Sequence, residues 1–155
     1  MGTFFDLLNT ASIDGISLGC SERAIIEKFG EPHDISGKIF PFKITRYGIM
    51  QFGFTIDPML KEYSLDSVSI YFEDERYFPS VLQFEEWTPN YKTKLSQLKK
   101  YVLSRHLPFV FNQKQSYDEF RVYDIGLHIT TYFRKHKKRR KNETLYLLSI
   151  HTPNH

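Results

Sequence analysis

The sequence contains very little cysteine and no long apolar run. Cys20 is the single cysteine among 155 residues, so an internal disulfide and a thiolate metal cluster are excluded and a reducing compartment is indicated. The first twenty residues contain no lysine or arginine, whereas a secretory signal peptide begins with basic residues. No stretch approaches the ~18 apolar residues of a membrane span. We therefore expect a cytoplasmic protein.

Motifs for catalysis, metal binding and phosphate binding are also absent. The six histidines show no H-E-x-x-H spacing, and the pair His151 and His155 flanks Pro153 near the C-terminus. The eight glycines form neither G-x-G-x-x-G nor a P-loop string. For Cys20 a half-buried structural thiol is the expected role. The sequence thus predicts no catalytic residue, no metal and no cofactor.

Aromatic residues are abundant instead. Phe, Tyr and Trp make up 16 % of the chain, and such residues favour pleated, half-buried surfaces. The length fits one compact unit spanning 1–155 with a substantial core. The predicted fold class is α+β, with more strand than helix.

A helix followed by strands is predicted twice. Ser21 is a good N-cap, and Gly30 with Pro32 ends the first helix. A second helix, with Leu95, Leu98, Val102 and Leu103 on one face, ends before Pro108. Alternating patterns predict strands over 39–44, 46–56, 67–72, 109–111, 119–123, 125–133 and 144–150, and they place in the core Phe40, Phe42, Phe52, Phe54 and Phe72.

The predicted organisation is two similar halves, each a helix packed on an antiparallel sheet. The first half spans 13–78, a linker spans 79–92, and the second half spans 93–152. Pro32 and Pro108 lie 76 residues apart, and Ser69-Ile70 recurs as Ser149-Ile150 at a spacing of 80. Either the chain is a true tandem repeat or two α+β units merely share their order of elements.

The segment from Gly19 to Pro32 carries a recognisable pattern. Gly19, Ser21, Ile25, Gly30 and Pro32 stand at the spacing G-x-S/T-x-x-x-V/I-x-x-x-x-G-x-P. This resembles the outer-membrane assembly lipoprotein BamE (SmpA/OmlA) and β-lactamase inhibitory protein, whose helix-plus-sheet unit occurs twice in the inhibitor. The resemblance implies a non-enzymatic protein that binds another protein through its sheets or their loops. A cytoplasmic member would act like a bacterial immunity protein, neutralising a partner such as a toxin.

Exposed aromatic residues near turns are common interface anchors. Several lie in or beside the acidic linker, so the predicted protein-binding residues are Tyr77, Phe78, Glu85, Glu86, Trp87 and Tyr91.

The alternative function is nucleic-acid binding by a basic segment. Seven of the eight residues in 134–141 are positively charged, and without them the formal net charge falls from +3 to −4. Such a cluster can contact several phosphates, but a solvated hairpin loop is the favoured interpretation. An electrostatic contact with an acidic partner protein is also compatible with it. The residues concerned are Arg134, Lys135, Lys137, Lys138, Arg139, Arg140 and Lys141. A hydrolase with an unrecognised site is a third, weaker hypothesis.

Overall fold

The computed structural model describes residues 10–72, 89–90, 92–113, 117–124, 127–134 and 144–151. Within them lie two short helices, α1 (Glu22–Phe29) and α2 (Leu95–Ser104). The strands are β1 (Asp34–Ile39), β2 (Phe42–Tyr47), β3 (Met50–Ile56), β4 (Tyr63–Tyr71), β5 (Phe109–Gln113), β6 (Tyr117–Asp124), β7 (Leu127–Arg134) and β8 (Thr144–His151).

Helix α1 begins and ends where the sequence predicts. The Ser21 hydroxyl accepts a hydrogen bond from the Ala24 amide at 3.2 Å, which satisfies one of the amides that lack a partner within the helix. Gly30 follows the helix with φ of 78°, a conformation that suits glycine because it has no Cβ. Its amide donates to the Ile26 carbonyl at 2.8 Å. The predicted cap and stop are confirmed.

Helix α2 buries three of its four predicted core residues. Leu95, Leu98 and Val102 are buried, but Leu103 is 59 % exposed, so its prediction was wrong. Consecutive helical residues are rotated by about 100° around the axis, which turns Leu103 away from the core when Val102 faces it. The helix ends at Ser104, ahead of the predicted stop at Pro108.

All eight strands belong to one antiparallel sheet with the order β1-β2-β3-β4-β8-β7-β6-β5. Two four-stranded meanders, β1–β4 and β5–β8, meet where β4 pairs with β8. At this junction Val68 lies opposite Ile150 and Ser69 opposite Ser149. The pairing gives hydrogen-bond partners to backbone groups of β4 and β8, which would otherwise be two further edge strands.

This continuous sheet corrects the predicted fold class. The protein is not two halves that each pack a helix on a separate sheet. It is dominated by a single sheet, because the last strands of the two meanders, β4 and β8, pair directly. The division into 13–78, 79–92 and 93–152 stays a prediction, since most of the proposed linker lies outside the described residues.

One predicted strand is in fact a hairpin. The run Arg46 to Ile56 is divided by a turn at Gly48 and Ile49, and Gly48 has φ of 58°. Tyr47 then lies opposite Met50. The expected strand over 39–44 is likewise divided between β1 and β2 by a turn at Phe40 and Pro41.

The core lies on one face of the sheet. Met50, Phe52 and Phe54 alternate along β3 and are each at most 2 % exposed. Both helices contribute to the same cluster of buried residues, through Ile25 of α1 and Leu98 of α2. Such one-sided burial is what alternation along antiparallel strands produces.

The core prediction for the five phenylalanines was right for three and wrong for two. Phe52, Phe54 and Phe72 are buried, whereas Phe40 is 77 % and Phe42 is 54 % exposed. Phe40 lies in a turn, and Phe42 is the first residue of β2. The alternation of apolar residues therefore does not predict burial at the end of a strand.

Candidate functional site

The predicted protein-binding residues cannot be located in the fold. All six lie outside the described residues: Tyr77, Phe78, Glu85, Glu86, Trp87 and Tyr91. Their assignment to an interface stays a prediction.

The basic segment connects two antiparallel neighbours. Strand β7 ends at Arg134, strand β8 begins at Thr144, and the two residues lie opposite each other. The expectation that the segment lies between two strands is confirmed. The other basic residues lie outside the described part of the chain: Lys135, Lys137, Lys138, Arg139, Arg140 and Lys141.

The antiparallel order assigns each connection to one end of the sheet. The β1–β2 and β3–β4 turns lie at one end of the sheet. Strand β8 runs towards this end and finishes at His151, which lies opposite Ser67 of β4. The β2–β3 turn, the end of β7 and the start of β8 lie at the other end, because β8 starts beside the end of β4. The β1–β2 and β3–β4 turns and the strand ends that flank the basic segment therefore lie at opposite ends of the sheet.

The end with the β1–β2 and β3–β4 turns exposes four large apolar side chains. Phe40 is 77 %, Phe42 54 %, Met59 90 % and Leu60 71 % exposed. We call these four residues the apolar turn cluster. Single exposed apolar residues are ordinary, whereas a group of large exposed apolar residues at one end of a sheet is a candidate interaction site.

A backbone hydrogen bond joins the two turn regions. The Ile56 amide donates to the Pro41 carbonyl at 3.0 Å, which sets the β1–β2 turn beside the start of the β3–β4 turn. Phe42 lies opposite Thr55 on the adjoining strands. The four cluster residues are thus carried by neighbouring segments.

The β3–β4 turn has a defined conformation. The Asp57 carboxylate accepts hydrogen bonds from the Met59 amide at 2.7 Å and the Leu60 amide at 3.0 Å. The Asp57 carbonyl accepts from the Lys61 amide at 2.8 Å, and the Asp57 amide donates to the Glu62 carbonyl at 2.9 Å. An aspartate that bonds the following amides stabilises a turn. Met59 and Leu60 are therefore presented to solvent by a fixed backbone.

Acidic groups predominate beside the β3–β4 turn. Asp57 and Glu62 are its carboxylates, Lys61 is its ammonium group, and Asp66 follows in β4. Glu62, Asp66 and Lys61 are exposed. The local charge is negative although the whole chain is slightly basic.

The face of the sheet opposite the core has a different character. Its positions on β3, β4 and β8 include Gln51, Ser67, Ser69 and Ser149, all partly exposed. On the same face the Arg46 guanidinium lies 6.0 Å from the centre of the Tyr71 ring. These positions on β3, β4 and β8 are mostly small and polar, and Phe42 is the cluster residue that lies on the same face, at the start of β2.

The described titratable groups form no metal site. Within the described ranges, no group of three or more His, Cys, Asp or Glu residues could hold a metal ion. Cys20 is partly buried, as expected, with its Sγ 3.9 Å from the Ser17 hydroxyl. The His33 Nδ1 accepts a hydrogen bond from the Gly48 amide at 3.2 Å, so this ring holds the β2–β3 turn.

Sequence reasoning missed the apolar turn cluster. Phe40 and Phe42 were assigned to the core, and Asp57-Pro58 was read only as a break between strands. The available signal was Met59-Leu60 directly after Asp57-Pro58, since an apolar pair inside a tight turn has no strand face to bury it.

Comparison with family models, with curated proteins and with solved structures finds no match for this chain. The resemblance to BamE and β-lactamase inhibitory protein therefore stays a prediction. Among the described residues, no helix is both long enough and apolar enough to cross a membrane.

Proposed function

We propose that this chain is a non-enzymatic protein-binding module that neutralises a partner protein, as immunity and inhibitor proteins do. The apolar turn cluster is the observation that carries the proposal. Its four side chains expose apolar surface to water at a free-energy cost that docking would remove. The cytoplasm is the proposed compartment, on the ground of the single cysteine.

The geometry of the turns supports binding rather than incidental exposure. The hydrogen bonds made by Asp57 hold Met59 and Leu60 in place before any partner arrives. A preorganised loop loses less conformational entropy on binding than a flexible one. Each large apolar side chain that becomes fully buried contributes about 1.5–3 kcal/mol, so four of them suffice for the centre of an interface.

Quantitative capture from cells of the source organism tests the proposal. We would compare the full-length wild-type chain with Met59→Ser/Leu60→Ser, and with Leu103→Ser as the control. Leu103 is also an exposed apolar residue, at 59 %, but it lies on α2. The proposal expects one stoichiometric protein partner, retained by Leu103→Ser and weakened about 30-fold or more by the double variant, which corresponds to at least ~2 kcal/mol.

The same capture tests the alternative function. A variant with Arg134 and 135–141 neutralised would lose bound nucleic acid if the basic segment binds phosphates, and the loss would depend steeply on salt. Recovery of nucleic acid alone, with no protein sensitive to Met59→Ser/Leu60→Ser, would overturn the protein-binding proposal and favour the alternative.

A further inference from the structure

We infer that the partner docks on the apolar turn cluster with an apolar surface bordered by lysine and arginine side chains. The inference rests on the proposed function and specifies the chemistry of its partner. It follows from the charges that surround the cluster, since exposed apolar area alone does not distinguish one partner from another.

The border of the cluster is acidic. Asp57 and Glu62 flank Met59 and Leu60 in the β3–β4 turn, Asp66 follows in β4, and Lys61 supplies one ammonium group. The Asp66 carboxylate accepts a hydrogen bond from the Thr55 hydroxyl at 3.3 Å, which places it on the strand pair that carries the turn. A docked partner meets a net negative rim, and complementary charge there favours a basic border.

The Lys43 ammonium group on β2 does not offset these carboxylates, because it is paired with a different one. The Lys43 ammonium forms an ion pair with the Glu22 carboxylate and lies 5.3 Å from the centre of the Tyr63 ring. Its side chain is largely buried in these contacts, at 15 % exposure. Lys43 is therefore engaged within the protein, between β2 and α1.

The same charges argue against a membrane surface as the occupant. Exposed Phe, Met and Leu on adjacent turns could enter a bilayer interface, but such segments rely on basic flanks to approach anionic lipids. Here the flanking carboxylates are repelled by anionic headgroups. A protein surface that combines apolar and basic residues is complementary to both the apolar cluster and its acidic border.

A second copy of the chain is disfavoured for a related reason. Symmetric self-association would place the cluster of one copy against that of another, and the two acidic rims would face each other. Like charges brought together across an interface oppose association. The acidic border therefore favours a different protein, one that carries positive charge, as the binding partner.

The composition of the cluster suits a partner surface of variable shape. Met59, the most exposed of the four residues at 90 %, has an unbranched and polarizable side chain that adapts to irregular apolar surfaces. The hydrogen-bonded backbone fixes its position while the side chain adjusts. The charge border then supplies selectivity that the apolar centre lacks.

A displayed library of random peptides provides a defined probe for the full-length protein. We expect the wild-type chain to enrich peptides that combine large apolar residues with Lys or Arg. Glu62→Lys should weaken binding of the enriched peptides by roughly two- to fivefold, and Lys61→Glu should strengthen it by a similar factor, as expected for exposed charge pairs. Both effects should shrink as salt is added.

The variants separate failure of this inference from failure of the proposed function. If Met59→Ser/Leu60→Ser abolishes peptide binding while Glu62→Lys and Lys61→Glu leave it unchanged, the cluster binds protein but the basic partner is wrong. If the enriched peptides are insensitive to the double serine variant, both proposals fail. Tight binding to phosphatidylcholine–phosphatidylserine vesicles, or a dimer lost in the double variant, would also overturn the inference.

Discussion

Phe52 stabilises the core through aromatic contacts with two other elements. It is 0 % exposed, and its ring centre lies 5.6 Å from those of both Phe29 on α1 and Tyr47 on β2. We expect Phe52→Ala to lower the free energy of unfolding by about 3–5 kcal/mol, because it removes a buried ring and leaves a cavity. Urea denaturation measures this loss.

Phe40→Ala is the matched control for that substitution. Phe40 is 77 % exposed, so its truncation should change the free energy of unfolding by no more than ~0.5 kcal/mol. Equal losses in the two variants would contradict the assignment of Phe52 to the core and of Phe40 to the surface.

Tyr47 makes stability depend on pH in the alkaline range. Burial, and then the nearby carboxylates of Glu31 and Glu22, raise the pKa of Tyr47 from 10.0 to about 12. Its hydroxyl also donates to the Gly30 carbonyl at 2.9 Å. The folded state favours the neutral phenol, so this contribution to stability is complete below pH 10 and is lost as pH rises towards 12.

Denaturation as a function of pH tests the role of Tyr47. The wild-type free energy of unfolding should fall more steeply between pH 10 and 12 than that of Tyr47→Phe, which has no phenol to ionise. The slope is the relevant quantity, because the variant also lacks the hydrogen bond to Gly30. Identical slopes in the two proteins would refute the raised pKa.

At the scale of single elements, α1 depends on its N-terminal cap. The Ser21 hydroxyl accepts from the Ala24 amide, and Glu22 occupies the first turn, where the helix dipole favours negative charge. Ser21→Ala should cost about 1 kcal/mol of stability, whereas Ser21→Asp should retain most of it. Thermal unfolding of the three proteins measures the difference, and equal losses for Ala and Asp would contradict the capping role.

Local sequence signals were sufficient to predict α1, but they did not predict every hairpin turn. A cap, a helical spacing and a stop all lie between Ser21 and Pro32, so neighbouring residues suffice to define the helix. The turn at Gly48 interrupts a run that reads as one alternating strand, since a single glycine is also compatible with a strand interior. It was therefore easier to predict which segments form strands than to predict where each strand begins and ends.

At the scale of the whole molecule, the pairing of β4 with β8 determines the architecture. These strands are separated by the whole of the chain between Tyr71 and Thr144, yet they lie side by side at the centre of the sheet. Hydrophobic alternation states which face of a strand is buried, but it does not state which edges pair. The two-sheet prediction failed at this non-local contact.

The candidate site was less predictable than the fold for a similar reason. Exposure of Phe40 and Phe42 depends on where β1 and β2 end, and proximity of the β1–β2 turn to the β3–β4 turn depends on the pairing of β2 with β3. Neither follows from residue type alone. The acidic border of the cluster also differs in sign from the whole chain, so net charge gave no indication of it.

Site-directed photocrosslinking tests the central claim that the apolar turn cluster is a protein-docking surface. A photoreactive residue at position 59 of the full-length chain would be compared with one at position 23 on α1, where the Arg23 side chain is 87 % exposed. In cells of the source organism, we expect one major protein adduct from position 59 and none from position 23. Adducts that are equal at both positions, or that contain nucleic acid or lipid instead of protein, would contradict it.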